Sequence, residues 1–138
     1  MERIGEFKSF YRDKTMEELD DDTKKWKAQI EFLQYDFDFL KSLLDSDIYN
    51  AGIINLFETL QLYKAQVEDT NKEALKVSNK LMSHQEHIKT YLECDDINCD
   101  YFFMEIHAKM EYDVAVFLQE SNTMKLQLFE YIKSVIKK

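Results

Sequence analysis

The chain has 138 residues, 18 of them basic and 27 acidic, for a formal charge of −9. With 45% hydrophobic and 33% charged residues, it reads as one folded domain over 1–138 rather than a disordered chain. The acidic excess argues against a nucleic-acid binder, which needs a basic face to neutralise phosphates. There is no Pro, and Gly occurs only at positions 5 and 52. All-β and α/β folds need turn residues in numbers this chain lacks, so the reading is all-α.

Residues 1–14 read as a short arm or helix, with Ile4, Phe7, Phe10 and Tyr11 at roughly helical spacing. The first long helix is predicted over about 15–46. Thr15 and Glu18 fit a capping box, and the acids through Asp22 suit the positive end of the helix dipole. Trp26, Ile30, Leu33, Phe37, Leu40 and Leu44 form its core stripe. Phe32, Phe39 and Leu43 make a second stripe, so contact with two neighbours is expected.

The second helix is predicted over about 52–92 and the third over about 98–137, capped by Asn98 or a nearby Asp. In helix two, Ile53, Leu60, Val67, Ala74, Leu81 and Ile88 repeat every seven residues, and a second column passes through Tyr63, Val77 and His84. In helix three, Phe103, Met110, Phe117, Met124 and Tyr131 repeat likewise, beside His107, Val114, Ser121 and Leu128. Heptads of this kind predict an up-down-up antiparallel bundle with coiled-coil-like packing, in which helices one and three run parallel.

The loops suggest a register. Turning helices two and three near Asp95–Asp96 makes facing numbers sum to about 191, which pairs His84 with His107, Ala74 with Phe117 and Thr70 with Ser121. Turning helix one at Asp47–Tyr49 gives sums of about 97, pairing Phe37 with Leu60. Together these leave Ile88, Tyr91, Phe102, Phe103 and Ile106 at the second hairpin's tip with no third helix over them. The arm is expected to cover them, with another subunit as the alternative.

Candidate chemistry is sparse. His84 and His107 share a core layer, and Glu111 follows His107 by one turn. Imidazoles on facing helices can hold a metal, so these three residues are the candidate metal set. The paired Glu-x-x-His of di-iron bundles is missing, however, and two histidines bonded to each other or to water explain the layer more simply. His87 is on an outer face, but Lys80 is one face away and no Gly opens access as expected beside a phosphate-accepting histidine. Cys94 and Cys99 have neither the spacing nor the second pair of a zinc site. The segment from Asp96 resembles a calcium loop only at its start, because Tyr101 and His107 stand where Gly and Glu are required. No nucleophile-base arrangement or phosphate-cradling Gly-rich loop is present. Lys24, Lys25 and Lys27 around Trp26 follow three aspartates and read as a solvated first turn.

The expectation is therefore a non-enzymatic helical interaction or scaffold protein, with no cofactor, acting on a protein partner or on itself. A metal- or small-ligand-binding bundle is the alternative. No apolar run approaches membrane-span length, and the start has no signal pattern, so the cytoplasm is the expected compartment. There Cys94 and Cys99 should be free thiols; thiol titration of freshly purified protein finding neither, even after non-reducing unfolding, would count against this.

Overall fold

Without proline, and with Gly52 as the one glycine between the first two helices, three helices run uninterrupted. The computed structural model describes residues 16–91 and 97–138. Helix α1 spans Met16–Leu44, α2 spans Leu56–Tyr91 and α3 spans Ile97–Val135. With 39 residues, α3 is about 58 Å long at about 1.5 Å per residue. The Thr15 cap, the arm and Cys94 lie outside the described residues, as does the side chain of Cys99.

Side-chain pairs fix the directions. Asp22 meets His107, Asp36 meets Lys125 and Asp47 meets Lys137, so α1 and α3 are parallel. Lys41 meets Glu68, Asp45 meets Lys64 and Asp20 meets Gln85, so α2 runs against α1. Between α2 and α3, His84 bonds His107, Thr70 Oγ1 lies 3.3 Å from Met124 Sδ, and the Tyr63 and Tyr131 rings are 5.0 Å apart. Those numbers sum to 191, 194 and 194, within a turn of the predicted register. The bundle is up-down-up.

The first hairpin departs from expectation. Its polar pairs sum to 105–109 instead of about 97, a shift of about two to three turns. The connection explains this, because it does not turn tightly. Ser46 and Tyr49 hydroxyls both donate to the Leu43 carbonyl at 2.6 Å, closing the end of α1. The chain then crosses to the end of α3. Asn50 N donates to the Val135 carbonyl and Lys137 N to that of Ile48, both at 2.8 Å, around an isolated antiparallel bridge between Tyr49 and Ile136. Asn50 Oδ1 accepts from Gly52 N. Asn55 takes φ 60°, a left-handed conformation that Asn tolerates better than most side chains. Helix two therefore begins at Leu56, four residues later than predicted.

The shift brings α1 further over the second hairpin. Leu19 is buried with Ile88 and Phe103, so α1 itself covers two of the tip residues for which the arm was the expected cover, while Phe102 remains 67% exposed. The main core runs from Trp26 through Phe37, Leu60, Ala74, Phe117 and Leu128. The second stripe of α1 behaves otherwise. Leu43 is half-buried, but Phe32 and Phe39 are 71% and 64% exposed, so no described neighbour covers them.

Candidate functional site

Two features stand out from ordinary bundle packing. The first is a polar chain through one end of the core. α2 presents His84 inward between Leu81 and Ile88, and α3 presents His107 between Phe103 and Met110; both imidazoles are buried. His84 Nε2 and His107 Nδ1 are 2.9 Å apart. On the far side, His107 Nε2 lies 3.2 Å from Asp22 Oδ2 on α1. With His107 neutral and its Nε2–H donating to the carboxylate, His107 Nδ1 is the acceptor and His84 Nε2–H the donor; the donor and acceptor roles follow the tautomer. The result is a three-helix relay, Asp22 to His107 to His84.

Aromatic rings wall this relay. Trp26 stacks on His107 at 4.9 Å between centroids, and Phe103 stacks on His84 at 5.0 Å. The apolar setting pushes the His84 pKa down to about 4, chiefly through loss of solvation, with smaller contributions from His107 and from exposed His87. His84 Nδ1 is buried and has no hydrogen-bond partner.

Glu111, the third member of the predicted metal set, follows His107 by one turn. Its Oε2 is buried without a partner, and burial raises its pKa. Among the described residues no three His, Cys, Asp or Glu side chains converge as metal ligands. His84 and His107 are brought together as predicted, and each gives a ring nitrogen to the other. The Asp22 contact was not read from the sequence. A parallel α1–α3 offset of about 85–90 residues would have found it.

The second feature is the outer face of α1. At about 100° per residue, Phe32, Tyr35 and Phe39 fall on the side away from Ile30, Leu33 and Phe37, and Tyr35 is 76% exposed. Asp36 lies on the flank of this stripe that faces α3, where it bonds Lys125 at 2.8 Å. Phe129 is one turn beyond Lys125 on α3 and is 49% exposed, level with Phe39 in the parallel offset. Phe129 thus flanks Phe39 on the α3 side, whereas Tyr35 borders a groove shared with Asn71 of α2. Periodicity identified Phe32 and Phe39; Tyr35 and Phe129 emerge only from the packing.

No family model matches this sequence, and comparisons with curated proteins and with solved structures find no match. No helix among the described residues is long and apolar enough to cross a membrane.

Proposed function

We propose that this chain is a non-enzymatic helical interaction protein of the cytoplasm, which binds protein through the outer face of α1. One observation carries the reading: Phe32, Tyr35 and Phe39 stand exposed in a row on a helix whose other side supplies the core. Leaving large rings in water forgoes burial that the fold would otherwise gain, and clustered exposed aromatics are typical of protein-binding surfaces. A photo-crosslinking residue placed at position 32 or 39 in cells should give discrete protein adducts. The same residue at exposed Asn79 on α2 should give few. Equal labelling at the three positions would remove the support for this face.

A second reading rests on His84 Nδ1, a buried ring nitrogen without a hydrogen-bond partner. Burying such a group unpaired costs stability, and a bound metal or small ligand beside it would repay that cost. One equivalent of metal in tag-free purified protein would favour this reading over the first. Metal-free protein leaves the interaction reading as the better supported.

A further inference from the structure

We propose that the partner of the α1 face is a basic polypeptide segment, which lays arginine side chains along the acidic groove between α1 and α2. This rests on the interaction reading and names the chemistry of the occupant. Glu31, Tyr35 and Asp38 follow one another by four and three residues, so they form a single stripe on the α2 side of Phe32 and Phe39. All three are exposed. With Gln34 and with Asn71 of α2 they line an open groove of about 320 Å³. Ligand pockets span roughly 300–1,000 Å³, so this one suits a side chain rather than a whole molecule.

The charge of the groove is uncompensated. None of its lining residues is basic, and among the described residues neither Glu31 nor Asp38 is in an ion pair. The lysines of the same helix boundary are already engaged, Lys41 with Glu68 at 3.5 Å and Lys64 with Asp45 at 3.0 Å. Asn71 adds an amide Oδ1 that is buried with no donor. The site therefore offers acceptors and the face of one tyrosine ring. A guanidinium donates to carboxylate and amide oxygens while its plane stacks on an aromatic ring. One metal ion does not fit. Glu31 and Asp38 are two turns apart, about 10 Å along the axis, whereas an ion such as calcium holds its oxygens within about 2.6 Å. Two arginines three residues apart in an extended segment span the same distance, at about 3.3 Å per residue. Apolar residues of that segment meet Phe32 and Phe39, which run beside the acids at the same spacing. An acidic partner would set carboxylate against carboxylate, and the chain's charge of −9 draws in a cationic one.

The probe is a fluorescent peptide of about twelve residues, with arginine at every third position and leucine and serine between. Anisotropy should show saturable binding to the full chain with a Kd of about 10–100 μM. Glu31→Gln with Asp38→Asn should weaken it by about tenfold or more. Glu120→Gln with Glu130→Gln removes as much charge from exposed positions on α3 and should change it less than about twofold. The same peptide with glutamate in place of arginine should not bind. Absence of saturable binding, or equal weakening by the two pairs of substitutions, would overturn the proposal. So would equal binding of the glutamate peptide. If the arginine peptide fails while positions 32 and 39 still cross-link to protein in cells, the interaction reading survives and the basic partner does not.

Discussion

Phe117→Ala should destabilise the bundle by about 3–5 kcal/mol, the usual cost of emptying a ring-sized volume in a core that cannot collapse. Phe117 is buried on α3 and Ala74 is fully buried on α2. The layer between them is bracketed by observed contacts, Thr70 with Met124 on one side and His84 with His107 on the other. Ala74 therefore lies level with Phe117, and its missing side chain makes room for the ring. Ala74→Leu overpacks the same layer and should cost about 1–3 kcal/mol. Combined, the two changes should cost less than their sum, because the new Leu occupies space the ring has left. Urea unfolding of both single variants and the double variant reads this directly. Strict additivity would mean the two positions do not share a layer.

Acid should loosen the fold through His84. In the unfolded chain its imidazole titrates near 6.5, whereas in the fold burial holds it to about 4. Between those values the unfolded chain takes up a proton that the folded one refuses. Stability from this residue is thus whole above about pH 6.5, falls as pH drops, and has lost about 3 kcal/mol below about pH 4. Glu111 acts in the opposite sense, since its raised pKa lets the fold accept a proton more readily than the unfolded chain. The two are separated by His84→Gln, whose amide can still donate to His107 Nδ1 but does not titrate. The difference in unfolding free energy between pH 7 and pH 4.5 should be about 2–3 kcal/mol smaller in that variant. An equal difference in both proteins would show that His84 is not the responsive group.

The bundle and its second hairpin were legible because heptad spacing is local information repeated over many turns. Ten turns of helix average out single ambiguities, so the facing of His84 and His107 followed from numbers alone. The first hairpin was misjudged because its connection is settled by contacts distant in sequence. Asn50 and Ile48 bond to Val135 and Lys137, and nothing around Asp45–Asn55 announces that crossing. Once the connection lengthened, every α1–α2 pair slid along, and Leu19 came over Ile88 and Phe103. Helix α1 does contact two neighbours, as its two stripes suggest, but Phe32 and Phe39 of the second stripe stay exposed. Apolar residues at helical spacing indicate a face that can be buried, and spacing does not distinguish burial within one chain from burial between chains. Asp22 was missed for a related reason, since an aspartate in a first turn already has a sufficient local explanation in the helix dipole.

The two ends of this rod answer differently to protons. At one end, where residues 48–50 meet 135–137, the closure is made by amides and carbonyls that do not titrate in the physiological range. At the other, about 23 residues of α1 away from that crossing and roughly 35 Å along the axis, lies His84, whose pKa burial lowers to about 4. Acidification is thus expected to weaken the histidine end, where Leu19, Ile88 and Phe103 also pack, and to leave the backbone crossing at the other end unchanged.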